Sequence, residues 1–300
     1  MTLNELRFIV AVAQERNFRR AAEKCFISQP ALSLAIKKLE DELGVQVFER
    51  GKNEVSITPS GAVLVEQAQR VLEEAERLKT LAASSHDPLV GPLKLGVIYS
   101  VAPYLLPELM PVLQRLAPHM PLEVEENLTA HLEIGLRNGK LDAAIIALPF
   151  GDANLPTQSL YDESFQVVVP KHHAWARRRS IRASELAGEK VLLLDNGHCF
   201  SNQVQEACPE LVGRGASIQQ GTSLETIRNM VASGLGITVL PASANSARYR
   251  SKLLAVIPFT QPAPTRRIAL AWRRSYPRTA ALAVLARAVR QSRLTGIKGV

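Results

Sequence analysis

Cysteine is scarce in this chain of 300 residues, with three in all. So small and odd a number excludes a secreted disulfide framework, and any bridge here would be transient or regulatory. Aromatic residues make up only 5%. No apolar run approaches the roughly 18 residues of a membrane span, and residues 1 to 7 carry no apolar stretch of a signal peptide. The expectation is a cytoplasmic protein without a membrane segment. Nothing marks the chain as disordered, since 46% of residues are hydrophobic and 21% charged, and the length allows two or three domains with real cores.

Cations are in excess, with a formal net charge of +8. A basic balance invites a nucleic-acid reading, yet residues 1 to 87 carry 12 Lys and Arg against 13 Asp and Glu. Local placement, not the bulk, has to carry that argument. Leu3, Leu6, Phe8, Ile9 and Val12 recur at helical spacing over residues 4 to 15. A second helix follows Asn17. After a short turn at Phe26 and Ile27, Ser28 is the N-cap of a third helix, with Pro30 in its first turn and Leu32, Ile36 and Leu39 inward.

Two short helices joined by a tight turn make a helix-turn-helix, because an α-helix fits the major groove where base edges are read. Ser28, Gln29, Pro30 and Ser33 are the candidates at the groove-facing start of the third helix, and Arg19, Lys37 and Lys38 those for the phosphate backbone. Residues 47 to 61 read as a β-hairpin wing turned at Gly51 to Asn53, from which Arg50 would enter a minor groove. From Ser60, taken as an N-cap, a linker helix runs to about Ser84. Leu64, Ala68, Val71, Ala75, Leu78 and Ala82 form a heptad stripe on it, suited to pairing two chains. The polar break Ser84 to Pro88 is the main domain boundary.

Beyond Pro92, strands and helices alternate in a pattern that predicts a parallel α/β sheet. Ligands in such sheets sit outside the carboxyl ends of the strands. Ser100, Thr129, Cys199 and Thr222 all follow predicted strands. Cys199 stands beside His198 and nine residues before Cys208. Val191 to Leu194 reads as a buried strand, Asp195 to Gly197 as a turn, and Ser201 as the N-cap of a helix toward Cys208. If that helix forms, the sulfurs stand roughly 10 Å or more apart, whereas a disulfide needs Cα atoms within about 7 Å.

Bridging them would require the helix to be rebuilt, which is what a redox switch needs. A neighbouring imidazole favours the reactive thiolate, and a sulfenic acid formed by peroxide condenses with a second thiol, a role open to Cys208. Cys25, inside the helix-turn-helix, reads as packing.

Taken together, Ala21-Ala22, Ser28 to Ser33, Ile36, Leu39-Glu40, Leu43-Gly44, Val47-Phe48, Arg50 and Thr58 to Gly61 resemble the amino-terminal signature of the LysR-type transcriptional regulators. Gly197-His198-Cys199 with Cys208 resembles the peroxide-sensing, OxyR-type branch along essentially the whole chain. The resemblance implies an α/β fold class: a winged helix-turn-helix at 1–59, a linker helix at 60–87, and a regulatory domain at 88–300. The last would resemble a periplasmic binding protein, with subdomain I about 88–162 and 266–300 and subdomain II about 163–265.

It implies oxidation of Cys199 by hydrogen peroxide, a disulfide with Cys208, and a pocket holding Thr129, His198 and Arg266. Adjacent Arg267 is the alternative by one register. Ser100 stands where that branch commonly has threonine. Expected partners are double-stranded promoter DNA, further copies of the chain as a dimer of dimers, and RNA polymerase. No cofactor, metal or enzymatic turnover is expected. Two rivals make other predictions. A LysR-type regulator of a small organic effector would respond without either cysteine, and a thiol enzyme would turn peroxide over steadily.

Overall fold

A computed structural model of the chain describes residues 1–50, 55–83, 87–151, 154–195, 197–209 and 219–299, the side chains of residues 50, 79–83, 219 and 220 apart. Two compact units emerge, Met1–Ser85 and His86–Val300. The wing turn expected at Gly51 to Asn53, Ser84 to His86 of the polar break, and the first two residues of a strand expected at Ser217 to Gln220 lie outside the described residues.

In the first unit, α1 (Leu3–Glu15), α2 (Phe18–Lys24) and α3 (Gln29–Leu43) each start at a side-chain cap. Thr2 and Glu5 exchange hydrogen bonds as a capping box, Asn17 accepts from the Arg20 amide at 3.0 Å, and Ser28 from that of Ala31 at 3.4 Å. Gly44, at φ +67°, closes α3 in the left-handed conformation that glycine adopts without strain. Ile9, Val12, Ala21, Leu32, Ile36 and Leu39 bury between the three helices, whereas Leu3, counted by periodicity toward the core, is exposed. The strands β1 (Phe48–Arg50) and β2 (Val55–Ile57) pair antiparallel. Glu40 of α3 holds the strand entry by accepting from the amides of Val47 and Phe48.

The long helix α4 (Pro59–Ala83) corrects two expectations. Its first turn is capped by Thr58, whose Oγ1 accepts from the Gly61 amide at 2.9 Å, so Ser60 is already helical. Its predicted heptad stripe is also divided. Leu64 and Ala68 pack into this chain's own core, and only Val71 and Leu78 of the large stripe residues remain exposed.

In the second unit, β3 (Leu93–Ile98), α5 (Ala102–Leu116), β4 (Leu122–Asn127), α6 (Thr129–Arg137) and β5 (Ala143–Ala147) form a parallel half-sheet with its helices. The long strand β6 (Thr157–Pro170) then leads to a second parallel half: β7 (Val191–Leu194), α7 (Cys199–Ala207), β8 (Gln219–Gly221), α8 (Leu224–Ala232) and β9 (Ile237–Pro241). Next come β10 (Leu254–Pro258), β11 (Thr265–Trp272), α9 (Thr279–Gln291) and β12 (Ile297–Gly299).

The strand order is β4-β3-β5-β11-β6-β9-β7-β8, with β10 and β12 also on β6. The sheet is therefore mixed, not parallel: β6 runs antiparallel to β9, β10, β11 and β12, and β11 also to β5. The physical reason is that β6 serves both halves, its Thr157–Ser164 part pairing with β11, which joins it to β5, and its Phe165–Pro170 part pairing with β9 and β10. One apolar core lies on each half.

Gly61 allows α4 to start where it does. A Cβ there would stand 2.2 Å from the Val47 carbonyl oxygen and 2.9 Å from Thr58 Oγ1. Gly61→Ala is expected to lower the stability of the first unit by about 1–3 kcal/mol. Calorimetry checks this against tryptophan fluorescence, which should not move, because Trp175 and Trp272 both lie in the second unit.

Candidate functional site: the start of helix α7

The four buried residues of β7 end at Asp195, whose amide donates to the Gly221 carbonyl at 3.1 Å. The His198 amide returns to the Asp195 carbonyl at 3.1 Å and closes the turn. Helix α7 then begins at Cys199, with His198 at the N-cap making no side-chain cap bond. This corrects the expected start at Ser201. That residue is buried inside the helix, and its Oγ accepts from Gln205 Nε2 at 3.3 Å. Burial of Phe200 and Val204 sets the helix start, not a capping side chain. As a result Cys199 lies in the first turn of α7, among the amides that an α-helix leaves without partners of its own.

The two cysteines belong to different cores. Cys199, partly buried, packs against the core that includes β3 and β5, while Cys208, fully buried, sits in the core that includes β7 and β9. They are not disulfide-bonded. Nine residues of helical rise place their Cα atoms about 13 Å apart along the axis, well beyond disulfide reach.

The turn is held against the first half-sheet. The Tyr99 ring meets the His198 imidazole edge-on, with centroids 5.6 Å apart, and His198 Nε2 lies 3.4 Å from Asp195 Oδ1. Leu128 reaches within 3.3 Å of where a Cβ on Gly197 would stand. Thr129, next along, opens α6 without capping it, and its buried Oγ1 has no hydrogen-bond partner among the described residues. One turn into α7, Gln203 Nε2 donates to the Leu148 carbonyl beyond β5 at 3.3 Å. Ser100 and Thr129 therefore stand at strand ends on the side where α7 begins, whereas Thr222 is exposed.

Arg266 on β11 is buried and spends its donors inside the protein. Nε donates to Glu163 Oε2 at 2.9 Å, Nη1 to Ser100 Oγ at 2.7 Å, and Nη2 to the Ser100 carbonyl at 3.0 Å. Its guanidinium carbon lies 5.0 Å from the centroid of the Phe200 ring. Arg267 points to the opposite face, as strand alternation requires, and makes a two-pronged pair with Asp162 at 2.7 and 2.8 Å. Of the two adjacent arginines, Arg266 is the one among these residues.

Sequence reasoning missed Glu163, Phe200 and Gln203. The signal for Glu163 is in the chain all the same: Asp162-Glu163 and Arg266-Arg267 are charge doublets on strands that meet in register, Arg266 opposite Glu163. Glu163→Ala would strand the buried guanidinium. Its expected cost is about 3–5 kcal/mol in urea unfolding of the full chain, where Asp162→Ala, at a half-buried carboxylate paired with an exposed arginine, should cost under about 1 kcal/mol.

The second cluster lies on α3. Gln29, Pro30, Ser33, Leu34 and Lys37 line one open concavity. Lys38 is exposed but turned aside from it, Arg19 is exposed and paired with Glu23 at 3.2 Å, and the side chain of Arg50 lies outside the described residues. Ser28 Oγ is engaged as the cap acceptor, which leaves its proton and one lone pair to offer. Among the described residues no group of three or more His, Cys, Asp or Glu side chains is placed to hold a metal ion, and no helix is long and apolar enough to cross a membrane.

Comparison with known proteins agrees over both units. Residues 3–62 match the lysR family of bacterial regulatory helix-turn-helix proteins, and residues 86–293 match the LysR substrate binding domain. A hydrogen peroxide-inducible genes activator of Pectobacterium carotovorum is 41% identical over 92% of each chain. The DNA-binding transcriptional dual regulator OxyR of Escherichia coli K12 is 40% identical over 97% of this chain and 95% of its own.

Among solved structures, a full-length cysteine-to-aspartate OxyR of Pseudomonas aeruginosa is 50% identical, covers 97% of this chain and 98% of its own, and superimposes with a TM-score of 0.77. A hydrogen peroxide-bound cysteine-to-serine OxyR of Corynebacterium glutamicum is 34% identical, covers 97% and 92%, and gives 0.66. With both units matched and relatives aligned nearly end to end, the chain belongs to the LysR family of bacterial helix-turn-helix regulators, on the branch occupied by OxyR.

Proposed function

We propose that this chain is a cytoplasmic, DNA-binding transcriptional regulator that senses hydrogen peroxide through Cys199 and Cys208. One observation carries the reading: Cys199 opens α7 beside His198, while Cys208 closes it in the opposite core. The Cys199 thiolate attacks one peroxide oxygen, the O–O bond breaks, and the departing hydroxide takes a proton to become water. Cys199 is left as a sulfenic acid.

His198 and the unpartnered Thr129 hydroxyl are the groups that would donate to the departing oxygen. Arg266 holds Ser100 in place for the same task. The Cys208 thiol then attacks the sulfenic sulfur, a second water leaves, and the S–S bond forms. One peroxide is reduced to two waters for two thiols oxidised, so the chemistry is stoichiometric and not enzymatic turnover.

Since the bond cannot form across an intact α7, its formation unwinds that helix. The change passes to promoter DNA held by Gln29, Pro30, Ser33 and Lys37, with Ser28 at the helix cap and Arg19, Lys38 and Arg50 toward phosphates. Exposed Val71 and Leu78 on α4 suit pairing of two chains, two such pairs making the working assembly, which then acts on RNA polymerase.

The test is one equivalent of hydrogen peroxide added to the reduced full-length protein. Cys199 and Cys208 fall on the single tryptic peptide 191–214, so a disulfide reads as loss of two hydrogens from that peptide. Cys208→Ser should stop at the sulfenic acid. Cys25→Ser should respond like the parent, since burial pushes the Cys25 thiol up, against the opposing pull of Lys24 and Arg7. A parent protein whose DNA footprint is the same before and after peroxide would sink the proposal.

A further inference from the structure

Leu34 stands out on α3. Its neighbours Leu32 and Ile36 are fully buried, yet Leu34 is 71% exposed. On a helical wheel it lies one turn after Pro30 on the same face, so the two form an apolar row beside the polar row of Gln29, Ser33 and Lys37. All five line the same concavity. Among the described residues, Pro30 and Leu34 lie outside the first unit's core, of which only Phe48 lines the concavity with them.

A scattered surface leucine needs no explanation, but this one sits in the middle of the helix face that a helix-turn-helix inserts into DNA. In the major groove the distinctive apolar group on the base edges is the thymine 5-methyl. Pro30 and Leu34 are separated by about 6 Å of helical rise, which covers about two base steps at 3.4 Å each. Lys37, one turn on, supplies the cationic edge that holds the helix at that depth. We infer that Leu34 is a specificity-determining residue that reads the methyl group of a thymine in each half-site. This rests on α3 being the groove element of the proposed regulator.

The experiment uses full-length reduced protein and duplexes that it selects from a random pool. Each thymine of the selected site is replaced singly by deoxyuridine, which removes the methyl and keeps every hydrogen-bonding group. One position per half-site should lose about fourfold in affinity, the worth of one buried methyl-sized group. Leu34→Ala, an exposed change that leaves the thermal transition unmoved, should bind the parent site about fourfold less tightly and be indifferent to uridine at that position. Uniform insensitivity of the parent protein to uridine overturns the inference, as does a Leu34→Ala variant that keeps the parent's sensitivity. Failure to select any duplex overturns the DNA reading of α3 itself.

Discussion

The regulatory unit depends on a guanidinium out of reach of water. Arg266 binds Glu163 across the two crossing strands, both Ser100 oxygens beyond β3, and the face of Phe200 in α7. Glu163 in turn accepts from the Ser243 amide after β9 at 3.0 Å. One ion pair thereby ties the two half-sheets, and the helix that begins with Cys199, to a single point. A buried pair of this kind adds little net stability over a well-packed apolar pair, but it tolerates few alternative arrangements because each broken bond leaves a charge in the interior. The strand frame is thereby fixed, and the rearrangement proposed for Cys199 and Cys208 would be confined to the loop and helix that follow β7.

Magnitudes bear on whether that confinement is workable. Phe200 and Val204 hold α7 down with roughly 1.5–3 kcal/mol each. Closing a loop between Cys199 and Cys208 restrains the chain by roughly 2.5–3 kcal/mol. These opposed quantities are of similar size, so neither packing nor cross-link overwhelms the other. On the proposed mechanism the state of one sulfur would then be enough to choose between two arrangements, with peroxide reduction supplying the drive.

Local chemistry made some of this legible from the chain. Asn17 and Ser28 cap helices whether or not the rest of the protein is present, and Pro30 fits only a first turn, so the helix-turn-helix could be read directly. Cys199, His198 and Cys208 were visible as neighbours. What failed was non-local. The polar half of β6, with Asp162 and Glu163, looks like loop until Arg266 and Arg267 arrive opposite it a hundred residues later. Ser201 looks like a cap because serine is favoured there, but Phe200 and Val204 bury by starting the helix three residues earlier. The stripe on α4 reads as a seam between chains, while its first turns are claimed by α1 of the same chain.

The full burial of Cys208 has a kinetic meaning. If Cys199 and Cys208 react as proposed, oxidation of Cys199 scales with how much peroxide arrives, but Cys208 meets the oxidised sulfur only as often as α7 lets go. That second rate belongs to the protein and is independent of dose. A slow rise in oxidant would find the latch always ready, whereas a flood would reach the sulfenic acid again before the latch turned, pushing the sulfur to its sulfinic form. On the proposed mechanism the depth at which one thiol is stored would thus set the upper end of the range over which the molecule reports faithfully.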